Sequence, residues 1–441
     1  MPGGKKRLSQ LFFPIFFETL CTILTGAVDT LMLSSEGDQA VGAVGTANTY
    51  ISIFLILFSI ISSGMMAVMT QYIGAKRPGV AQQALQLGLL FNLAAGVVIS
   101  SLLYFGGEFI LKTVGIADGL LLPAKTYLQT VGLFCICNAL TPIFSGYLRA
   151  FGQTAPTMVG TLLANAINVG LNALFLFVLD WGVFGVALAT GISRLVHLLW
   201  VWLVSRCRIR FHWEANPPEN REIFQKIIRV GLPAAMETSL YNLAITLVIS
   251  MLNHMDDTGM QATARAYAMQ ISNFSLSAGM ALAQANAIIV GWRIGSREFD
   301  DCDRDTRKAA RLGILVGVGT ASLFALFAGP ILRLFTDDPE MVRLVRVLLI
   351  VDIFLEIGRM TNLVFGIALK TSGDATYPMI IAVVFAFLCA AGGTWYFGIC
   401  IGWLAVGAYV ALALDECTRA VFMFLRWNAG QWKKKNLLSV K

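Results

Sequence analysis

Long apolar stretches separated by short polar turns recur along almost the whole chain. A helix rises ~1.5 Å per residue, so roughly 20 apolar residues cross a hydrocarbon core of ~30 Å. Residues 11–33 form the first such stretch. Eleven more follow at about 47–73, 84–106, 121–147, 156–179, 183–205, 226–252, 265–294, 309–330, 341–368, 377–397 and 402–426. The pattern predicts an all-α polytopic membrane protein with twelve transmembrane helices. The first span is too long for the apolar region of a signal peptide and holds two acids, Glu18 and Asp29.

Local motifs repeat at a nearly constant distance. Phe13-Pro14-x-x-x-Glu18-Thr19 returns as Leu232-Pro233-x-x-x-Glu237-Thr238, offset by 219 residues. Ile73-Gly74 returns as Ile294-Gly295 and Gly152–Met158 as Gly373–Met379, both offset by 221, while Gly185 and Gly407 match at 222. Four matches in order indicate duplication. Each half holds six spans, an even number, so both enter the membrane from one side as parallel repeats. The expected plan is an N-terminal six-helix lobe over residues 1–205, a cytoplasmic linker over 206–225 containing Pro217-Pro218, and a second six-helix lobe with a basic tail over 226–441. Two such lobes around a central cleft form the architecture of an alternating-access transporter.

Composition agrees: 57% of residues are hydrophobic, 13% are charged, and the mean hydropathy is +0.71. The net charge of +7 does not indicate a nucleic-acid partner, because Lys and Arg gather in short loops between apolar spans. They occupy residues 5–7, 76–77, 206–229, 293–311 and 433–435, whereas Glu36, Asp38, Asp256-Asp257 and Asp337-Asp338 mark the opposite loops. By the positive-inside rule both termini are cytoplasmic, in a multi-pass protein of the plasma (inner) membrane. The eight cysteines and three histidines show no metal-ligand spacing, and each cysteine reads as a small buried apolar residue. The chain contains no G-x-x-x-x-G-K-[ST], H-E-x-x-H or G-x-S-x-G motif. ATP-driven transport and hydrolase chemistry lose support, and no cofactor is implied.

The chemistry must therefore lie in the few polar residues inside spans. Glu18, Thr22, Thr25 and Asp29 fall at i, i+4, i+7 and i+11, a polar stripe that serves either as an interhelical seam or as a site. Asn165, Asn168 and Asn172 share one face of the fifth span; their amide oxygens suit a hard cation, and interhelical hydrogen bonding is the alternative. Asp352, Glu356 and Arg359 share one face of the tenth span, as a structural ion pair or as a proton site built on two like charges. Asp415, Glu416 and Arg419 neutralise one another and read as structural, while Arg194 has no acid on its own span and is expected to pair across helices. Pro14, Pro142 and Pro233 are candidate kinks, and Gly313-x-x-x-Gly317 a close-packing face.

The chain resembles the multidrug and toxic compound extrusion (MATE) family over essentially its full length. The resemblance rests on Pro14, Glu18 and Val28-Asp29-Thr30, Gln71-Tyr72-Ile73-Gly74-Ala75, Leu148-Arg149-x-x-Gly152-Gln153-x-x-Pro156, and Gly185-Val186-Ala187-x-Ala189-Thr190. It implies a secondary antiporter, coupled to H⁺ or Na⁺, that expels amphipathic, often cationic compounds. It assigns ion coupling to Asp29, with Asn168 beside it. Asn172 and Glu18 are expected to support the site, and Asp29 and Asn168 would ligate the metal if the ion is Na⁺. Asn172 stands where many relatives carry aspartate. Other relatives carry an acid about eight residues past the proline of the seventh helix, where this chain has Tyr241; Glu237 lies four past Pro233. Glu237, Asp352, Glu356 and Arg359 are a possible second-lobe polar site. The expected partners are the small-molecule substrate and the bilayer, with the protein a monomer. A lipid-linked glycan flippase is the alternative, and a membrane enzyme or channel the more distant ones.

Overall fold

In hydrocarbon a spanning segment must satisfy its own backbone groups, and apolar runs of this length do so as helices. The computed structural model describes residues 6–113, 115–209, 220–256, 258–333 and 336–438, and contains no strand among them. In chain order the helices are α1 (Leu8–Leu33), α2 (Asp38–Gly74), α3 (Pro78–Thr113), α4 (Asp118–Leu133), α5 (Cys135–Ala150), α6 (Thr154–Ala173) and α7 (Gly182–Ile209). They continue with α8 (Asn220–Asn253), α9 (Met260–Gly295), α10 (Phe299–Leu326), the short α11 (Ala328–Leu332), α12 (Pro339–Ser372), α13 (Thr376–Phe385) and α14 (Leu404–Asn428).

Nine of these segments are long and apolar enough to span a membrane, and α4 with α5 forms a tenth, bent by 45°. The other two expected spans, α12 and α14, are 34 and 25 residues long and carry ionisable triads inside. The fourth span is thus broken, and not where its proline predicts. The break falls at Phe134, while Pro142 lies inside α5, as Pro14 and Pro233 lie inside α1 and α8. At the bend the Phe134 ring occupies the space in front of Gly191 on α7, where a Cβ would come within 2.2 Å of it. Helices also extend into the expected linker: α7 runs to Ile209 and α8 begins at Asn220, while residues 210–219, with Pro217-Pro218, lie outside the described residues.

The chain divides into two compact units, Met1–Gly231 and Leu232–Lys441. In the first, α6 packs between α1 and α7, and α7 also packs on α4 and α5. Its apolar core is built on Phe58, Leu103, Leu111, Leu128 and Ala187. In the second, α12 is central, packed on α9, α10 and α14. Gly279, Gly313 and Gly317 open a slot there for the fully buried Met360, so the Gly313–Gly317 face does admit a close neighbour.

Duplication is written in the backbone as well as in the motifs. Left-handed φ values recur at Gly37 and Gly259, Lys76 and Arg297, Gly152 and Gly373, Asp180 and Gly402, and Gly182 and Leu404, each offset by 221 or 222 residues. Leu174–Val178 and Thr394–Cys400 are both π-helical. Each wide turn ends in a stacked aromatic pair, Phe175–Trp181 at 5.0 Å and Phe397–Trp403 at 5.9 Å. Gly185 and Gly407 then lie directly against these turns. A Cβ on Gly407 would lie 2.5 Å from the Phe397 carbonyl carbon, whereas one on Gly319 meets nothing within 4 Å. Gly407→Ala is expected to lower stability by about 1–3 kcal/mol, because backbone has to move. Gly319→Ala, in an exposed helix position, should be neutral or stabilising by about 0.5–1 kcal/mol. Thermal unfolding of the purified protein in detergent checks both.

Candidate functional site

Asp29 lies in the last two turns of α1, half-buried, where α1 runs along α6. Asn168 and Asn172 stand one turn apart on the facing side of α6, and both are buried. Asn172 Nδ2 donates to Asp29 Oδ1 at 2.8 Å. The Asn168 amide, oriented with its NH₂ toward the carboxylate, donates to Oδ1 at 2.7 Å and Oδ2 at 3.1 Å. Both carboxylate oxygens are therefore held by neutral donors. Asn172 Oδ1 is buried without a hydrogen-bond partner. The third asparagine, Asn165, takes no part in these bonds, and its Nδ2 is also buried without a partner.

Other elements surround this group. Tyr127 of α4, whose hydroxyl donates to Asn48 Oδ1 of α2 at 3.3 Å, interacts electrostatically with Asp29. So does Arg194 of α7. Arg194 does not form the cross-helix ion pair expected of it; among the described residues its guanidinium has no carboxylate within ion-pair distance, because the amides of α6 occupy Asp29.

Glu18 is elsewhere. It lies eleven residues before Asp29 on α1, a rise of ~16 Å. Its buried carboxylate pairs with Arg149 of α5 at 2.8 Å and accepts from Thr157 and Thr161 of α6, each at 3.1 Å. His197 Nε2 lies 3.5 Å from Thr161 Oγ1. Between the two acids, the Thr22 and Thr25 hydroxyls turn back onto the carbonyls of Glu18 and Cys21. The single polar stripe of the sequence is thus two separate sites.

The Glu18 arrangement has a counterpart in the second unit, where Glu237 pairs with Lys370 at 2.9 Å. The sequence reading assigned neither cation to its acid, although Arg149 and Lys370 stand 221 residues apart, the offset of the neighbouring glycines. Glu237 is held apart from the other second-unit candidates. Those form a network across α12 and α14: Arg359 pairs with Glu356 and lies 3.8 Å from Asp352, which accepts from Ser272 of α9 at 2.7 Å. Arg419 pairs with Asp415 and Glu416, both at 2.7 Å, and sits over the Tyr241 ring at 4.8 Å. Asn362 of α12 donates to Glu416 at 2.9 Å and joins the two triads. Each arginine there answers two carboxylates.

The family model MatE matches residues 14–174 and again residues 233–395. The chain belongs to the MatE family. Its relatives include an uncharacterized transporter, YisQ, of Bacillus subtilis (strain 168), 29% identical with 98% of this chain and 95% of the relative covered. Another is a probable multidrug resistance protein, NorM, of Thermotoga maritima, 23% identical with 100% and 95% covered. Among solved structures, a crystal structure of MATE in complex with MaD3S superposes with a TM-score of 0.89 at 19% identity, over 97% of this chain and 96% of that one. The twelve-helix, two-lobed membrane fold expected from the sequence is that of this family. The family is one of multidrug efflux transporters rather than enzymes.

In this MatE protein the Glu18–Arg149 pair should behave as a structural clamp. Glu18→Met leaves a guanidinium without its counter-charge and should cost about 3 kcal/mol, whereas Glu18→Met with Arg149→Met should recover much of it. A double-mutant cycle on thermal unfolding reads the coupling.

Proposed function

We propose that the protein is a cation-coupled antiporter that exports amphipathic, cationic compounds by alternating access, with Asp29 as the exchanging group. One observation carries this reading: the carboxylate is half-buried inside a span and hydrogen-bonded by the amides of Asn168 and Asn172, and among the described residues it is closed in no ion pair. Such a group is free to accept a cation, and it can be neutralised by only one at a time. A proton, a Na⁺ ion and the cationic centre of a substrate then compete for it, and competition for one site is what exchange requires. For Na⁺, the oxygens of Asp29, Asn168 and the orphaned Asn172 Oδ1 would serve as hard ligands. For H⁺, neutralisation loosens the grip of the amides and lets α1 repack near Pro14 and Gly26, where a Cβ on Gly26 would meet nothing within 4 Å.

In this reading the second-unit network of Asp352, Glu356 and Arg359 with Asp415, Glu416 and Arg419 is structural, since both of its cations are already paired. Glu18 and Glu237 are likewise clamped by cations. The distribution of Lys and Arg supports cytoplasmic termini in a multi-pass protein of the plasma (inner) membrane.

The test uses protein reconstituted in vesicles that enclose a fluorescent cationic dye, with a pH or a Na⁺ gradient imposed separately. Wild type should export dye under one gradient, which names the coupling ion. Asp29→Asn should fall to the rate of empty vesicles, and Asp352→Asn should retain gradient-driven export. Full export by Asp29→Asn would sink the assignment, and loss in Asp352→Asn alone would move coupling to the second unit.

A further inference from the structure

One face of α10 (Phe299–Leu326) changes chemistry along its length. Lys308, Arg311, Leu312, Leu315, Leu323 and Leu326 fall within ~120° of arc on a helix of ~3.6 residues per turn, and all are exposed. Leu315 and Leu326 are 71% and 72% exposed, and in a membrane helix such a face meets hydrocarbon. Its N-terminal end is cationic. The neighbouring acids are already taken: Arg293 pairs with Glu298 and lies 3.3 Å from Asp305, Arg304 pairs with Asp301, and Arg307 pairs with Asp303 at 2.9 Å. Among the described residues Lys308 and Arg311 close no ion pair.

The scaffold does not ask for these two charges. At the offset of 221, Lys308 corresponds to Leu87 of α3 and Arg311 to Leu90. Packing fixes this register, since Gly96 lies against Ala139 as Gly317 lies against Met360, both pairs again 221 apart. On α3 the chain covers the same face itself: Phe91, the counterpart of Leu312, meets Phe224 of α8 with ring centroids 5.9 Å apart. On α10 Leu312 is exposed. Topology does not ask for the charges either, because Arg293, Arg297, Arg304 and Arg307 already make this end of the helix basic.

We propose that Lys308 and Arg311 form a docking site for an anionic phospholipid, with its phosphate on the two cations and its acyl chains along Leu312, Leu315 and the leucines beyond. Charge complementarity and the continuity of the face carry the assignment. The guanidinium fork takes two phosphate oxygens, and the ammonium group one turn away adds a point charge. Both side chains are long enough to reach headgroup level from the end of a span. A zwitterionic lipid offers the same phosphate but brings its own ammonium group, which the two cations repel. A free anion would answer the charges and leave the leucines unused. On the topology proposed above the site faces the cytoplasmic leaflet, the anionic one. It stands independently of the export reading.

The experiment offers the full-length protein in mild detergent an equimolar mixture of phosphatidylglycerol and phosphatidylcholine with matched acyl chains. Native mass spectrometry then counts the bound lipids. In the first adduct wild type should favour phosphatidylglycerol ~10-fold or better, since each Lys or Arg near a headgroup contributes about fivefold. Lys308→Gln with Arg311→Gln should bring the ratio to about one. Arg311→Gln alone should fall between, and it carries the test if the double variant does not fold. Lys433→Gln with Lys434→Gln removes two exposed cations that lie outside the α10 face, and should keep the wild-type ratio. A wild-type ratio near one overturns the site. Equal loss in the Lys433/Lys434 variant also overturns it, because a diffuse field would then suffice. Displacement of the lipid by glycerol 3-phosphate, which has the phosphate without the chains, would make the occupant a free anion and overturn lipid docking. Selective lipid binding by a protein that exports no dye supports the site and removes the export reading alone.

Discussion

A charge inside hydrocarbon has to be met by a counter-charge, by hydrogen-bond donors or by water, and every polar feature of this chain follows from which of the three is used. In the second unit counter-charge is used almost without exception: two arginines on α12 and α14 each hold two acids, and Asn362 joins the sets. At Glu18 counter-charge and hydroxyls act together, from Arg149, Thr157 and Thr161. At Asp29 the direct contacts are amides, with the charge of Arg194 acting from beyond ion-pair distance. A group compensated by fixed charge has little reason to exchange its partner, whereas one held by neutral donors can take up a cation. The proposed function rests on that difference.

The duplicated scaffold makes the contrast instructive. The same left-handed residues, the same π-helical turns and the same glycine contacts recur at one offset, so the two halves share a backbone plan. The clamp at Glu18 is kept as Glu237 with Lys370. Asp29 is not kept: it has no acidic equivalent, since residues 248–251 are Val, Ile, Ser and Met. The helix contacts at Gly185 and Gly407 leave no room for a Cβ in either half, whereas the polar positions differ between the halves.

Much of this was legible along the chain. Span number follows from the apolar runs and the two polar faces that carry Asp29 and the asparagines from helical pitch, whereas setting Asn168 beside Asp29 came from the family resemblance. What misled was treating a shared face as a shared site. Glu18 and Asp29 lie on one stripe, yet ~16 Å of rise separates them and the intervening threonines bond to their own backbone. The bend at Phe134 was invisible for a related reason: nothing local breaks the helix there, and the ring is seated by Gly191 of another helix.

The sequence by itself determined that this is a twice-repeated bundle of membrane helices, and which few residues have to be answered within it, since hydrophobicity and helical pitch are properties of the chain alone. Only the tertiary structure decided the answers. Arg149 found Glu18, two amides found Asp29 and Arg194 found no carboxylate within ion-pair distance among the described residues, because such pairings depend on which helices pack side by side, and that is set by contacts between residues more than a hundred positions apart.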